Sequence, residues 1–426
     1  MKVLLIGGGG REHAIAWKLA QSKRLTKLYA APGNGGISQV AECVDIKTTD
    51  APALLKFALL NGVDFTVVGP DDPLAAGIVD LFEDAGQKIF GPKKNAAVIE
   101  YSKAFSKDFM KKYGIPTAVH ETYSSYDEAL RSVTGGPFPV VIKADGLSLG
   151  KGVYICPDGL SAAEALTELM VNKKFGESGS SVIIEEYLTG PEVTVLAFAD
   201  GKTYRPMLSS QDHKRAFDND EGPNTGGMGA VAPCELYTDK IARYSEVNIF
   251  KPTIEGMVKE GRPFTGVLYF SLMLTSDGPK VIEFNARFGD PEAQALLPLL
   301  KTDLLDIMLA CASGALDTQV IEWERGYSAS VVMASGGYPG DYAKGFPIKG
   351  LEGYGARAFT DGGAFVFHAG TSLTDGVYRT NGGRVLNVTA KGATLSEALS
   401  RAYAVVGGIG FEGAYHRTDI GKYSRP

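Results

Sequence analysis

Short apolar runs alternate with helical segments over roughly the first 95 residues, and this alternation constrains the fold more than any other feature of the chain. Val3–Ile6 is an apolar run that feeds a glycine turn. A helix is expected over His13–Leu25, a strand over Leu28–Ala31, a helix over Ala51–Leu60, a strand over Asp64–Val68 and a helix over Leu74–Ala85. Parallel strands need long crossovers, and helices of this length supply them, so the region reads as a parallel α/β sheet.

Tyr101–Tyr113 reads as an amphipathic helix. Tyr101, Phe105, Phe109 and Tyr113 recur at i+4, Lys103, Lys107 and Lys111 fall on another side, and Gly114 and Pro116 stop it. Lys103 taken alone reads as a solvated lysine. A β-rich block follows at Val140–Lys143, Val153–Cys156 and Val182–Tyr187, interrupted by a helix near Ser161–Asn172. Further strands are expected at Val193–Ala199, Arg205–Leu208, Phe264–Leu274 and Val281–Asn285. After about residue 325, strands at Ser328–Ala334, Phe365–Ala369 and Arg384–Thr389 and a helix at Leu395–Val406 indicate a separate C-terminal α+β unit.

Chemistry concentrates at the end of the Val281–Asn285 strand. Alternation puts Glu283 and Asn285 on one face, with Ile282 and Phe284 facing the core. A carboxylate and an amide oxygen suit Mg²⁺ when substrate phosphates supply the other oxygens. Arg287 follows, and its planar fork suits a phosphate or a carboxylate. A plain Glu–Arg surface pair is the competing reading.

The 53 glycines fall in clusters. Gly7–Gly10 followed by Arg11-Glu12-His13 is a poor dinucleotide fingerprint: Glu12 stands at the third glycine position, and the second strand ends without an acidic residue. A glycine turn opening a helix still offers an anion site. Lys143 to Gly152, with Gly150 and Lys151 between, is not a Walker A loop. It sits between two strands, as a flexible lid over nucleotide phosphates would, with Lys143 placed to hold the α- or β-phosphate. Glu185-Glu186-Tyr187-Leu188 ends a strand whose backbone suits adenine, with Glu192 near the ribose. Gln211–Arg215 and Gly222–Ala230 form a long polar segment in which Asp, His, Lys and Arg stand together, and such loops are usually functional.

The formal net charge of −6 gives no basic footprint for nucleic acid. The four cysteines are scattered, which argues for reduced thiols in a cytoplasm and against a zinc site. The start is not a signal peptide, and no apolar stretch is long enough to span a membrane.

Taken together, the lid loop, the Glu185–Leu188 strand end and Glu283–Glu292 resemble the ATP-grasp superfamily. Within it they are similar to the phosphoribosylamine–glycine ligase family. Gly9–Ala14, Ala31–Asn34, Val68–Pro70, Phe90–Pro92, Ser102-Lys103, Ser210–Arg215, Pro223–Ala230, Thr265-Gly266 and Thr380–Val385 extend the resemblance over the whole chain. Gly8, the lid sequence and Pro191 depart from the usual pattern, and none removes a required charge.

The resemblance implies an ATP-grasp fold divided into a Rossmann-like domain (1–100), a central domain (101–120 and 189–325), a lid subdomain (121–188) and a C-terminal α+β domain (326–426). It implies ATP-driven joining of glycine to 5-phosphoribosylamine through glycyl phosphate, with Mg²⁺ or Mn²⁺ on Glu283 and Asn285. Lys103, Lys143, Gly150, Lys151, Gly152, Glu185, Glu186, Leu188 and Glu192 would take ATP, and Arg287 would steady the transferring phosphoryl group. Asp212 and Lys214 would serve catalysis. Asn224, Thr225, Gly226, Gly227, Met228, Asp290 and Pro291 would hold glycine and ribose, and Gly9, Gly10 and Arg11 the ribose 5-phosphate. A monomer is expected. Another ATP-grasp ligase or carboxylase, or an ATP-binding regulator without turnover, is the alternative.

Overall fold

The computed structural model describes residues 1–146, 152–352, 354 and 363–424. Val3 to Ile6 are fully buried in the strand Lys2–Gly7. It pairs in parallel with Lys27–Pro32 on one side and Phe65–Val68 on the other. Glu42–Cys43 and Ile89–Phe90 complete a five-stranded parallel sheet. A central strand covered on both faces is apolar throughout, as this one is.

Local capping moves three expected helix boundaries. The first helix spans Gly10–Leu19 rather than starting at His13, because Glu12 reaches back to accept the Gly9 N–H at 2.7 Å. The helix expected over Leu74–Ala85 is two helices, Asp71–Ala76 and Ile78–Asp84, which meet at Gly77 in the left-handed region with φ +96°. The helix expected over Tyr101–Tyr113 starts at Lys103, and Tyr101 instead ends a preceding helix, Lys94–Tyr101. Ser102 caps the second by accepting the Phe105 N–H at 3.1 Å.

A four-stranded antiparallel sheet runs in the order His120–Tyr123, Val182–Glu186, Val140–Ala144, Val153–Cys156. Ile142, Ala144, Leu166 and Val182 form a small core of its own beneath it.

Among the described residues, the largest sheet has eight antiparallel strands. In order they are Gly278–Asn285, Thr265–Thr275, Glu192–Asp200, Tyr204–Asp212, Gly229–Ala232, Tyr327–Ala334, Arg384–Gly392 and Ala364–His368. The strands expected at Ser328–Ala334, Phe365–Ala369 and Arg384–Thr389 therefore extend the central sheet, while Thr371–Thr374 and Val377–Thr380 pair only with each other. The seam is narrow: Gln211 pairs with Val231 and Asp212 with Ala230. Asp212 thus sits where the two halves of the sheet join.

A β-bulge corrects the expected alternation at the strand end. Ser271 pairs with Glu283 but Leu272 with Val281, so Ile282 is the extra residue. Val281 and Phe284 are the buried side chains, and Ile282 is only half-buried. Beyond the bulge, Glu283 and Asn285 still share a face.

Two buried histidines make stability depend on pH. Burial lowers His213 and His368 to about 4. Both are neutral in the fold, whereas the unfolded chain protonates near the ordinary value. Stability is therefore full above about pH 6.5 and falls as pH drops toward 4, by up to about 3 kcal/mol for each histidine. Denaturant midpoints measured between pH 7 and pH 4.5 check this, and His213→Gln should flatten the slope.

Candidate active site

The lysines converge from separate elements. Lys143 is buried on the Val140–Ala144 strand, and its Nζ lies 2.9 Å from Glu185 Oε2 on the adjacent strand. Lys103 opens its helix and donates to the Gly146 carbonyl at 2.9 Å, at the root of the loop. Asp145 anchors that root by accepting the Ala104 N–H at 3.1 Å. Gly152 is buried, and its carbonyl accepts the Ala144 N–H at 2.9 Å. Gly150 and Lys151 lie outside the described residues.

Lys107 does not point to solvent with its neighbour Lys111; it is buried 3.2 Å from Glu185 Oε2. Burial lowers its ammonium to about 8, with Glu185 opposing that shift and Lys143 adding to it. Burial pushes the Glu185 carboxyl up, but Lys143 and Lys107 outweigh it and hold the group below the usual carboxylate range. One carboxylate shared by two ammoniums is fully compensated, while each lysine is compensated only in part.

Glu186 and Glu192 are also engaged. Glu186 Oε1 accepts from Lys280 at 3.0 Å and from the Val119 N–H at 3.1 Å. Leu188 is half-buried in the connection that follows. Glu192 Oε2 pairs with Lys214 Nζ at 2.6 Å, so in this structure its carboxylate holds that lysine.

Glu283 faces a ring of cations. Burial raises its carboxyl, but the charges of Lys214, Lys143, Lys103 and Arg287 outweigh burial and hold it below its ordinary value. Asn285 Oδ1 accepts from Arg287 Nη2 at 3.3 Å. Arg287 Nε lies 3.4 Å from Glu100 Oε1 without hydrogen-bond geometry. Glu100 also accepts the Ala286 N–H at 2.7 Å, and burial raises its carboxyl to about 7. One carboxylate and one amide oxygen at a strand end, within a cationic pocket, fit a hard divalent cation that shares phosphate oxygens.

The polar segment at 211–230 is not one loop. Arg215–Phe217 and Glu221–Asn224 form a short antiparallel pair, and Gly229–Ala232 enters the large sheet. Alternation separates the charged cluster. Lys214 turns toward Glu283 and Asp212 toward Glu292, whereas His213 turns away and its Nε2 accepts the Gly421 N–H at 2.9 Å. Arg215 braces the short pair through the Gly222 carbonyl at 2.7 Å.

Asp212 Oδ1 is sequestered without a hydrogen-bond partner. Burial, then the neighbouring Glu292, raises its carboxyl well above the ordinary value. Glu292 is itself buried and accepts from Tyr269 at 2.8 Å.

The surrounding loop is fixed by backbone contacts. Thr225 Oγ1 donates to the Lys214 carbonyl at 2.8 Å, and the Gly226 N–H donates to Tyr338 at 3.0 Å. Asn224 is exposed at a strand end. Met228 is fully buried between the Tyr204–Asp212 and Tyr327–Ala334 strands, so it supports the sheet instead of presenting a side chain to a ligand.

Gly227 has φ +111°, and a Cβ there would lie 2.5 Å from Pro291 Cδ and 2.6 Å from Asp212 Oδ1. Gly227→Ala should therefore lower kcat/KM at least tenfold while costing about 1–3 kcal/mol of stability. Initial rates and denaturant melts of the variant check both.

At the N-terminal turn, protein carboxylates already occupy part of the anion site. Glu12 takes the Gly9 N–H, and Asp290 Oδ2 accepts the Arg11 N–H at 3.2 Å. Glu12 also lies where a Cβ on Gly7 or Gly69 would fall, at 2.3 Å in both cases, so glycine at both positions makes way for this side chain. Arg11 is buried, with its guanidinium on Glu12 and on the Phe288 carbonyl at 3.1 Å. Gly10 packs against Asn387 and Gln294. Arg384 Nη1 donates to the carbonyls of Gly226 at 2.6 Å and Asp290 at 2.7 Å, tying the C-terminal strands to both loops.

Comparison with known proteins follows the same path along the chain. The phosphoribosylglycinamide synthetase N domain matches residues 1–100, the ATP-grasp (A) domain of that family residues 101–293, and its C domain residues 328–423. The chain belongs to the phosphoribosylglycinamide synthetase family. A relative from Caldanaerobacter subterraneus subsp. tengcongensis, named phosphoribosylamine–glycine ligase, is 51% identical over 420 residues, 99% of each chain. The ligase of that name from Escherichia coli O6:H1 is 47% identical over 425 residues, covering 99% of this chain and 98% of the relative. The crystal structure of phosphoribosylamine–glycine ligase from Thermotoga maritima superposes with a TM-score of 0.84 at 33% identity, covering 99% of this chain and all of that one. The biotin carboxylase domain of Hydrogenobacter thermophilus 2-oxoglutarate carboxylase, at 18% identity and a TM-score of 0.75 over 97% of this chain and 91% of that one, shares the fold.

Within this synthetase-family chain, Glu100, Lys107, Asp145, Glu292 and Arg384 belong to the site but had no assigned role in the sequence reading. Arg384 stood inside a family motif. Glu100 had no local signal at all, since its partners Ala286 and Arg287 are remote in sequence.

Proposed function

We infer that the protein is an ATP-dependent ligase that joins glycine to 5-phosphoribosylamine, giving glycinamide ribonucleotide, ADP and phosphate. The observation that carries this reading is full-length similarity to phosphoribosylamine–glycine ligases, with Glu283 ringed by Lys103, Lys143, Lys214 and Arg287. The glycine carboxylate attacks the γ-phosphorus and ADP leaves. The amine of the ribosylamine then attacks the carbonyl carbon of glycyl phosphate, and phosphate leaves with the C–O electron pair.

Phosphoryl transfer needs alignment and charge stabilisation more than covalent help from the protein. Lys103 and Lys143 neutralise the phosphate chain, Arg287 steadies the transferring phosphoryl group, and Glu186, Leu188 and Glu192 flank adenine and ribose. Glu283 and Asn285 would hold Mg²⁺ or Mn²⁺, which would supply positive charge to the nucleotide phosphates. Asp212 and Lys214, at the seam of the large sheet, face the glycyl group. Gly227, Asp290, Pro291 and the Gly9–Arg11 turn surround the ribosylamine. The loop from Lys143 to Gly152, including Gly150 and Lys151, serves as the lid that keeps water from the acyl phosphate.

The same reading divides the chain at about residues 100, 120, 188 and 325, and places the enzyme in the cytoplasm as a monomer. Among the described residues, no helix is long and apolar enough to cross a membrane.

ADP release with Mg-ATP, glycine and freshly generated 5-phosphoribosylamine tests the reading, each component being omitted in turn. Release requiring both glycine and the amine is expected. Release driven by bicarbonate, or by another acid, would assign the fold to a different ligase.

A further inference from the structure

Lys107 has no role in the chemistry described so far, yet it is placed too deliberately for a solvated lysine. It is 2% exposed, one turn along the helix from Lys103. Its Nζ lies 3.2 Å from the same Glu185 oxygen that holds Lys143 at 2.9 Å. It also donates to Thr117 Oγ1 at 2.7 Å, and that hydroxyl donates to the Val281 carbonyl at 2.7 Å. A continuous path thus runs from the phosphate lysine through Glu185, Lys107 and Thr117 to the strand that bears Glu283.

A charge count shows what Lys107 adds. Lys143 and Glu185 alone form a neutral pair, and a lysine fully committed to a buried carboxylate has little charge left for a phosphate. With Lys107 included, two ammoniums face one carboxylate and the group carries one net positive charge. Removing one partner from such a buried cluster leaves a charge uncompensated, so the third member matters.

We propose that Lys107 is a positioning residue that neutralises Glu185, so that the Lys143 ammonium keeps its charge for the nucleotide phosphates. The identity of the nucleotide rests on the ligase reading, but the role does not depend on which acid and amine are joined.

Calorimetric titration of Mg-ADP into the full-length protein and its variants tests this, with circular dichroism as the check of folding. Lys107→Met should weaken Mg-ADP binding about tenfold or more, and Lys107→Arg should stay within about threefold of the parent. Glu185→Gln should bind more tightly than the parent. The double variant Lys107→Met/Glu185→Gln removes both charges and should return to within about threefold of the parent, a rescue that a merely structural lysine would not give.

Parent-like binding by Lys107→Met, or a double variant no better than the single, would overturn the proposal. If Lys107→Met does not fold, the comparison of the double variant with the parent decides, and binding by the double variant about tenfold or more weaker than the parent would overturn it. No glycine or ribosylamine enters the titration, so failure of the ligase reading would leave these differences intact. Absence of Mg-ADP binding by the parent would defeat both.

Discussion

Glu283→Gln should abolish turnover, with kcat reduced at least about 10³-fold, while the protein stays folded. The loss of a ligand to a charge-stabilising cation removes several kcal/mol from the transition state, and each 1.4 kcal/mol is about tenfold in rate. The fold tolerates the change because Glu283 is half-buried at a strand end, and the strand is held there by backbone pairing with Thr265–Thr275. Neutralising the carboxylate relieves its burial but leaves Lys214, Lys143, Lys103 and Arg287 without the shared anion. These effects oppose each other, so the unfolding midpoint should move little. Steady-state kinetics across Mg²⁺ concentration, beside a denaturant melt, check both halves. Near-normal activity would remove Glu283 from the metal site.

Arg287→Ala has the second-largest expected effect, a fall in kcat of about 10³-fold or more, by analogy with other arginines that stabilise transferring phosphoryl groups. Its effect on the KM for ATP should be small, because an interaction made in the transition state appears in kcat and kcat/KM together. Arg287→Lys should recover little, since Arg287 uses its planar fork to reach Asn285 Oδ1 at 3.3 Å and the Phe288 carbonyl at 3.1 Å. The alanine variant also strips Glu100 of its cation, and burial already raises Glu100 to about 7. Without Arg287 it should protonate more readily, which limits the cost to stability. A large rise in KM for ATP with unchanged kcat would place Arg287 on the ground-state nucleotide instead.

Much of this was legible in the sequence because it is local. Val3–Ile6 and Leu28–Ala31 declare strands as short apolar runs bounded by turn residues, Leu395–Val406 declares a helix, and the structure places elements there. Glu283 and Asn285 were legible as a pair because alternation resumes after the bulge. The bulge itself was not: Ile282 has no partner in the register with the Thr265–Thr275 strand, and no local pattern encodes a partner's register.

Lys107 was read with the polar side of its helix, since amphipathicity separates apolar from polar but not solvent from a buried carboxylate. Glu185, its partner, is remote in the chain. His213 is the opposite case, where residue types in a row suggest one cluster. Strand alternation sends His213 to the Gly421 backbone and leaves Asp212 and Lys214 in the site. Gly77 and Ser102 are different again, because turn and cap chemistry divided helices that the hydrophobic period read as continuous.

Transfer of oxygen from glycine to phosphate tests the glycyl phosphate route most directly. Glycine labelled with ¹⁸O in both carboxylate oxygens would be turned over with Mg-ATP and 5-phosphoribosylamine, and the released phosphate analysed by mass. Attack of the carboxylate on the γ-phosphorus requires one ¹⁸O per phosphate released, with the other retained in the amide of the product. Unlabelled phosphate, with both heavy oxygens left in unreacted glycine or lost to water, would contradict it.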